Sequence, residues 1–263
     1  MSNRFVFITQ EDPFYVRIFF EEFFAKYAQR ERVAAVVIAP SMGKKSIGAL
    51  AKQMYDFYGP VDFVRMGFRY VFYKLAQKLP RSRNAKKFYS IKQVCRAYGV
   101  PVVVTHSVNA PEFLAELKKL DPQLVASVAA PQIFRDGLIN LPPLGCINIH
   151  NSKLPKYRGM LPNFWQMFNG EKQIGCTIHR INGKLDDGAI LLQREAAADP
   201  RHSLHERICT TKRQGASLMI DAVEGAFAGT LRDQPNDSAQ ATHYTFPTKE
   251  EAREFRRRGM KLL

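Results

Sequence analysis

The fold of this chain is indicated by the stretch Cys146-Ile147-Asn148-Ile149-His150. This stretch continues as Asn151-Ser152-Lys153-Leu154-Pro155-Lys156-Tyr157-Arg158-Gly159. Side chains alternate faces along an extended strand, so Asn148 and His150 point to one side while Ile147 and Ile149 point into a core. A polar pair at the end of a buried strand, followed by a loop rich in Ser, Pro and Gly, is typical of ligand sites in α/β sheets. Taken alone, the triplet favours a different interpretation, a core histidine capped by Asn148.

The segments around this stretch alternate between apolar runs and amphipathic stretches. Short apolar runs predict strands at 5–8, 33–39, 102–104, 124–129, 145–150, 174–181 and 190–194. Amphipathic stretches between them predict helices, including one from 109 to 120 that Asn109 caps. This alternation predicts an α/β fold with a Rossmann-like, mostly parallel sheet. We expect a catalytic domain at 1–229 with a basic aromatic insert at about 40–98, and a C-terminal extension at 230–263 with a short basic helix.

The charge of the chain is unevenly distributed. Lys and Arg number 39 against 24 Asp and Glu, a net charge of +15, and no acidic residue lies between Asp62 and Glu112. On a helical wheel, the predicted helix 63–79 has one apolar stripe expected to face the core: Val64, Phe68, Val71, Phe72, Leu75 and Leu79. A second stripe, bordered by basic residues, contains Phe63, Met66, Tyr70 and Tyr73. It predicts a homodimer contact or a doubly buried helix, with an anionic membrane surface or nucleic acid as the alternatives.

Several features bear on the compartment. No apolar run approaches the ~20 residues of a membrane span, and the N-terminal apolar segment is too short for the core of a signal peptide. The four cysteines are widely separated and predict reduced thiols in a cytoplasmic protein, with the inner membrane surface as an alternative location. The only spacing that suggests a metal ligand pair, His202-x-x-His205, is interpreted as a helix start, so no metal is expected.

A longer set of motifs, from Asn148 to Gly188, resembles those of a known family. Asn148-Ile-His150, Ser152, Leu154-Pro-x-Tyr-Arg-Gly159 and Leu185-Asp186-x-Gly188 are similar to motifs of the folate-dependent formyltransferases. That family includes methionyl-tRNA formyltransferase, glycinamide ribonucleotide formyltransferase and the sugar N-formyltransferases. Asp186 follows Asn148 by 38 positions, the separation found in the family. The resemblance covers roughly residues 110–230.

The resemblance implies a reaction and its residues. Transfer of a formyl group from 10-formyltetrahydrofolate to an amine passes through a tetrahedral oxyanion, which needs hydrogen-bond donors and a route for the amine proton. Asn148 and His150 can donate, and Asp186 would favour the charged form of His150. By resemblance, the loop Pro131-Gln132-Ile133-Phe134 holds the pteridine ring, with an ordinary exit from a strand as the alternative. Ser152 and Arg158 are candidates for substrate binding, and Asp187 is expected to be a turn residue without a chemical role.

The acceptor follows less directly from the sequence. Methionyl-tRNA formyltransferase resembles this core followed by a further domain, whereas only 35 residues follow the long predicted helix here. We therefore expect a small or lipid-attached primary amine as the acceptor, with an amino sugar as the preferred choice, and do not expect tRNA to be a partner. The alternatives are a methionyl-tRNA formyltransferase-like enzyme, and a membrane-binding or nucleic-acid-binding protein on the same fold.

Overall fold

The computed structural model describes residues 3–40, 46–85 and 87–263. Its strands are β1 (Phe5–Gln10), β2 (Val33–Ala39), β3 (Val102–Val104), β4 (Leu124–Val128), β5 (Cys146–His150), β6 (Arg158–Gly159), β7 (Gln173–Arg180), β8 (Ile190–Ala197) and β9 (His243–Tyr244). Its α-helices are α1 (Val16–Lys26), α2 (Ile47–Ala76), α3 (Ile91–Tyr98), α4 (Pro111–Lys119), α5 (Asp136–Ile139), α6 (Pro162–Phe168), α7 (Leu204–Phe227) and α8 (Lys249–Arg257).

Seven strands form one sheet in the order β3-β2-β1-β4-β5-β7-β8. The first five are parallel, while β7 pairs antiparallel with both β5 and β8. The predicted Rossmann-like, mostly parallel α/β fold is confirmed. In the register of β5 and β7, Asn148 lies opposite His179.

Hydrophobic clusters cover both faces of the sheet. On one face, Phe5 and Phe7 of β1 pack against Phe19 and Phe23 of α1, and all four rings are fully buried. The ring of Phe7 meets that of Phe23 edge to face at a centroid distance of 4.9 Å, an arrangement that aromatic pairs favour. On the other face, α4 contributes Phe113 and Leu117. Strands covered on both faces read as continuous apolar runs, which is why β1 and β2 were recognisable in the sequence.

Helix α2 corrects the prediction for residues 63–79. It begins at Ile47, well before the predicted start, and bends at Gly59-Pro60, where Gly59 has φ of 72°. Met66 and Tyr73 are buried, whereas Phe68 is 74% exposed. The stripe expected to face the core is the exposed one: Val64, Phe68, Val71, Phe72, Leu75 and Leu79. The second stripe, from which a membrane or homodimer contact was predicted, contains the buried side chains Met66 and Tyr73, which pack on the domain.

The stripe that contains Tyr73 is buried because neighbouring elements supply side chains that pack against it. The ring of Tyr73 packs against Phe14 at 5.7 Å and Tyr89 at 5.2 Å, and Arg17 lies over it at 5.4 Å. A helical wheel separates two apolar stripes but does not say which one a neighbouring element covers. Residues 41–45 and 86 of the predicted insert lie outside the described residues, and α3, its last helix, packs into the core through Ile91, Val94 and Cys95.

The segment 230–263 packs against the domain. Its strand β9 pairs with β6, so that Arg158 and Gly159 lie opposite His243 and Tyr244. The predicted basic helix is α8, which begins at a capping box between Thr248 and Glu251. Its Phe255 is fully buried and stacks on Phe164 of α6 at 4.7 Å. The segment therefore braces β6, which ends the quoted stretch, and α6, which follows it.

Candidate active site

Strand β5 ends with the two polar side chains on which the site is built. Ile147 and Ile149 are buried in the core, as the alternation of an extended strand requires. His150 is 6% exposed, and Asn148 is partly buried. The strand thus presents both polar groups on the side away from its apolar contacts.

Asn148 is oriented by a histidine that the sequence analysis missed. His179 Nδ1 lies 2.8 Å from the Arg180 carbonyl oxygen, so Nδ1 carries the proton and Nε2 accepts a hydrogen bond. Asn148 Nδ2 donates to that Nε2 at 3.0 Å. An amide nitrogen carries two hydrogens, so Asn148 keeps a second N–H for a ligand. The available signal was the polar side chain in the apolar run of β7, but its position opposite Asn148 depends on the strand register.

His150 is arranged to accept a proton. Its Nε2 donates to the Tyr157 carbonyl oxygen at 2.7 Å, which leaves Nδ1 with a free lone pair. That Nδ1 lies 3.5 Å from Asp186 Oδ2. Burial lowers the pKa of His150 below its ordinary value, and this effect exceeds the opposing effects of Asp186 and the Tyr157 carbonyl. The expectation that Asp186 favours the charged form was therefore incomplete, because desolvation has the larger influence.

Asp186 is held close to both histidines. Its Oδ1 lies 3.6 Å from His179 Nε2, and its Oδ2 accepts a hydrogen bond from the Gly159 N–H at 2.9 Å. Burial opposes ionisation of this carboxyl, but the two histidines and the Gly159 N–H outweigh burial and lower its pKa. Asp186 is thus an anion beside a neutral His150 at neutral pH.

The backbone at position 159, where the quoted loop ends, requires a glycine. Its φ is 99°, in the region that favours glycine, and a Cβ there would lie 2.2 Å from the Tyr244 carbonyl oxygen. Only glycine lets β6 approach β9 while donating its N–H to Asp186.

The backbone around these residues is strained. Of the five described non-glycine residues with positive φ, four lie around the site: Ala129 at 52°, Tyr157 at 62°, Leu161 at 49° and Asp186 at 49°. Each such conformation costs on the order of 1 kcal/mol, and strained backbone of this kind concentrates at functional sites. Here it accompanies the Tyr157 carbonyl that binds His150 and the Asp186 carboxylate.

Two cavities meet at this group of residues. One, which we call the loop cavity, has a volume of about 240 Å³ and is lined by the loop 131–134, Asn148, His179 and Asp186. The other, the α7 cavity, has a volume of about 450 Å³ and is lined by Asn148, His150, Asp186 and residues of α7. Asn148 and Asp186 therefore form a wall that both cavities share, so two ligands could meet there.

The loop 131–134 is fixed by hydrogen bonds that leave part of its backbone free. The Gln132 side chain is buried, accepts from the Val108 N–H at 2.9 Å and donates to the His106 carbonyl at 3.0 Å. Asn109 donates to the Ile133 carbonyl and accepts from the Arg135 N–H, both at 2.9 Å. Asn109 thus holds this loop instead of capping α4, whose N-cap is Ala110. Within the described chain, the N–H groups of Ile133 and Phe134 donate to no partner.

Ser152 and Arg158 have roles other than the predicted contact with substrate. Ser152 is fully buried and donates to the Lys156 carbonyl at 2.9 Å, which closes the loop after β5. Arg158 is 3% exposed, and its Nη1 lies 2.6 Å from Asp187 Oδ1. Its Nη2 donates to Asn236 Oδ1 at 2.9 Å. Asp187, expected to be a turn residue without a chemical role, has a structural one as the counter-charge of a buried arginine.

Two further polar residues of the α7 cavity were missed. Lys212 lies at the i+4 position after Ile208, within the buried stripe of α7, and is 7% exposed. Asn163, in the first turn of α6, is 3% exposed. A charged residue within an apolar helical stripe was the available signal for Lys212.

Neither a metal-binding group nor a membrane-spanning helix is present among the described residues. In the part of the chain that the structure describes, no three His, Cys, Asp or Glu side chains are grouped so as to hold a metal ion. Across residues 3–40, 46–85 and 87–263, no helix combines the length and apolar character needed to cross a membrane.

The fold and the site define a Rossmann-like α/β protein that can bring two ligands together at one polar wall. A family model described as Formyl transferase matches residues 73–223. The chain belongs to the formyl transferase family, as its motifs indicated.

Curated relatives share a more specific name. The methionyl-tRNA formyltransferase of Kosmotoga olearia is 38% identical over 176 residues, which cover 65% of this chain and 56% of that protein. Eight proteins of this name, from different bacteria, are 32–38% identical. The chain spans about half the length of these curated relatives.

Solved structures share the fold. Glycinamide ribonucleotide transformylase 1 from Symbiobacterium toebii has a TM-score of 0.59 at 14% identity, over 89% of this chain and 96% of that chain. An N-formyltransferase from Helicobacter canadensis, solved with folinic acid and dTDP-3-aminofucose, has a TM-score of 0.55 at 13% identity, over 92% and 70%.

These findings contradict the predicted acceptor. The relatives at 32–38% identity are methionyl-tRNA formyltransferases, whereas the structure solved with dTDP-3-aminofucose is similar in fold at only 13% identity. The expectation of an amino-sugar or other small-molecule acceptor was wrong, as was the expectation that tRNA is an unlikely partner. The error came from reading the acceptor from chain length, which does not report what the site binds.

Proposed function

We propose that this chain transfers a formyl group from 10-formyltetrahydrofolate to the α-amine of an aminoacyl-tRNA, as a methionyl-tRNA formyltransferase does. The observation that carries the proposal is the wall of Asn148 and Asp186 between two cavities, with His150 Nδ1 3.5 Å from Asp186. One cavity would receive the formyl donor and the other the acceptor amine. The name of the relatives at 32–38% identity supports the choice of acceptor.

The loop cavity suits the pteridine ring of the donor. Such a ring is flat, with an apolar face and a polar edge. Ile133, Phe134, Ile181 and Leu185 line the cavity with apolar surface, and the unused N–H groups of Ile133 and Phe134 could bind the polar edge. In this proposal the backbone of the loop 131–134 holds the ring, and Gln132 serves by fixing that backbone. When bound, 10-formyltetrahydrofolate supplies the formyl carbon.

The catalytic residues divide three tasks. The second Nδ2–H of Asn148 donates to the formyl oxygen, on which negative charge develops, as a preorganised donor in an oxyanion hole does. Neutral His150 accepts the proton of the amine at Nδ1, and would return it to the departing nitrogen of tetrahydrofolate as the bond between that nitrogen and the formyl carbon breaks. Asp186 stabilises the resulting imidazolium, since its carboxylate lies 3.5 Å away and is already ionised. Each atom is fixed beforehand by a hydrogen bond to the backbone or to His179.

The surface charge agrees with a tRNA partner. A third cavity, of about 350 Å³, is lined by Glu11 and by four basic side chains: Lys74, Lys78, Lys92 and Arg96. Within the described chain none of the four basic groups forms an ion pair. Unpaired cations attract phosphates, and binding of this kind weakens as salt is added. The buried thiols of Cys95, Cys146 and Cys176 suit the reducing cytoplasm in which charged tRNA is found.

The test is formylation by the purified chain. With 10-formyltetrahydrofolate present, methionyl-tRNA should be converted to formylmethionyl-tRNA, measured by release and chromatography of the amino acid. Free methionine should react far more slowly, and added salt should raise the KM for methionyl-tRNA more than kcat. Equal rates on free methionine and methionyl-tRNA would refute tRNA as the acceptor. Absence of formylation of any amine would refute the reaction itself.

A further inference from the structure

Lys212 is a buried ammonium without a protein partner. It is 7% exposed and lies among the buried residues of α7. Within the described residues its Nζ makes neither a hydrogen bond nor an ion pair. Burial lowers its pKa, and the largest opposing influence comes from Asp12. Burying a charge without a partner is unfavourable, which favours a ligand as the missing partner.

The ammonium belongs to the α7 cavity. Lys212 lines it together with Asn148, His150 and Asp186, and Asp12 also lines it. Asp12 Oδ1 accepts hydrogen bonds from the N–H groups of Phe14 and Tyr15 at 2.7 and 3.1 Å, and within the described residues its carboxylate forms no ion pair with Lys212. The Lys212 amine is therefore available as a donor in the cavity that also contains the catalytic groups.

An unpaired acceptor lies in the same cavity. The Thr211 hydroxyl donates to the Ile208 carbonyl at 3.0 Å, so it can only accept from Asn163 Nδ2, which lies 3.1 Å away. This fixes the orientation of the Asn163 amide. Its Oδ1 is buried and has no hydrogen-bond partner, although Asn163 lines the cavity. A buried acceptor without a partner in a native structure calls for an explanation such as an absent ligand.

We propose that Lys212 binds the carbonyl oxygen next to the reacting amine of an aminoacyl acceptor, and that Asn163 Oδ1 accepts a hydrogen bond from that amine. The proposal rests on the formyl transfer proposed above and adds the chemical group by which the acceptor is selected. In an aminoacyl ester or amide, the amine and the carbonyl group are on adjacent carbons, so one ligand satisfies both side chains. An amine without a neighbouring carbonyl satisfies Asn163 alone.

The expected selectivity follows from the kind of hydrogen bond. A hydrogen bond from a charged donor in a buried site corresponds to about a 10- to 100-fold difference in affinity. Methioninamide should therefore bind the wild-type chain about 10- to 100-fold more tightly than 3-(methylthio)propylamine, which has the same side chain and amine but no carbonyl.

The experiment compares three proteins and two amines. Lys212→Met removes the charge but keeps a long apolar side chain, and Arg213→Gln removes a charge from the next, exposed position of the same helix. Affinities for the two amines are measured by NMR titration, and kcat/KM is measured with methionyl-tRNA. Lys212→Met should lose about 10- to 100-fold in affinity for methioninamide and less than about threefold for 3-(methylthio)propylamine. Arg213→Gln should match the wild type with both.

Two outcomes would overturn the proposal. One is an equal loss of affinity for both amines in Lys212→Met, which would show that the lysine shapes the cavity without selecting a carbonyl. Another is a wild-type chain that binds the two amines equally well, a result that does not depend on the folding of any variant. Because both tests measure binding, they remain decisive if formylation is absent. Failure of the proposed reaction and failure of this inference are thus distinguishable.

Discussion

Replacing Asp187 by Asn should destabilise the folded chain substantially. Arg158 is 3% exposed, and its guanidinium lies 2.6 Å from the Asp187 carboxylate, which also accepts from the Ser238 hydroxyl at 2.7 Å. The Ser238 hydroxyl and the Arg158 guanidinium hold the pKa of Asp187 below its ordinary value. The substitution keeps the shape of the side chain but leaves the buried arginine without its counter-charge.

The magnitude follows from the burial of the two partners. Removing one partner of a buried ion pair costs about 3–5 kcal/mol. The Asp187 side chain retains 18% of its surface, so we take the lower limit, about 3 kcal/mol. For a chain of this size, that corresponds to a fall in Tm of about 6–12 °C.

Urea unfolding followed by circular dichroism measures the effect, and Asp233→Asn is the matched control. Asp233 pairs with Arg180 at 2.8 Å, but the two side chains are 50% and 40% exposed. Pairs of this kind contribute about 0–1 kcal/mol. If Asp187→Asn were no more destabilising than Asp233→Asn, the account of Arg158 as a structural residue would be wrong.

Two further predictions concern α2 and His150. Met66→Ala should lower the free energy of unfolding by about 2–3 kcal/mol, whereas Phe68→Ser should change it by about 0.5 kcal/mol or less. The difference is expected because Met66 is 8% and Phe68 74% exposed. If urea unfolding showed Phe68→Ser to be the more destabilising change, the faces of α2 would be wrongly assigned. If neutral His150 accepts the amine proton, kcat/KM should fall as His150 becomes protonated at low pH. Because burial lowers the pKa of His150, its protonation follows that of the substrate amine as the pH falls, and the slope of log kcat/KM against pH should steepen from about one to about two in acid. A profile that keeps a slope of one throughout would contradict the proposed role.

The sequence was most informative where one local pattern determines a position. The period of two in β5 placed Asn148 and His150 on one side, and the family spacing placed Asp186 beside them. The sheet was predictable because fully covered parallel strands are continuous apolar runs. Each of these inferences needs only the order of residues along the chain.

The contacts that could not be predicted from the sequence depend on tertiary neighbours. His179 meets Asn148 only through the register of β5 and β7, and Arg158 meets Asp187 only because the turn after β7 folds back on β6. The two stripes of α2 could be separated by periodicity, but the partners of Tyr73 come from the segments before α1 and α3 and from Arg17 of α1. Lys212 looked like one more charge on a long helix until its neighbours in the α7 cavity were known.

In the proposed reaction Asn148, at the wall between the two cavities, donates to the formyl oxygen. The decisive measurement is single-turnover formylation of methionyl-tRNA by Asn148→Ala, made alongside binding of a formyl-folate analogue to the same variant. We expect a rate about 10²- to 10³-fold below that of the wild type, with folate affinity nearly unchanged. A variant that formylates methionyl-tRNA at the wild-type rate would show that Asn148 does not have this role.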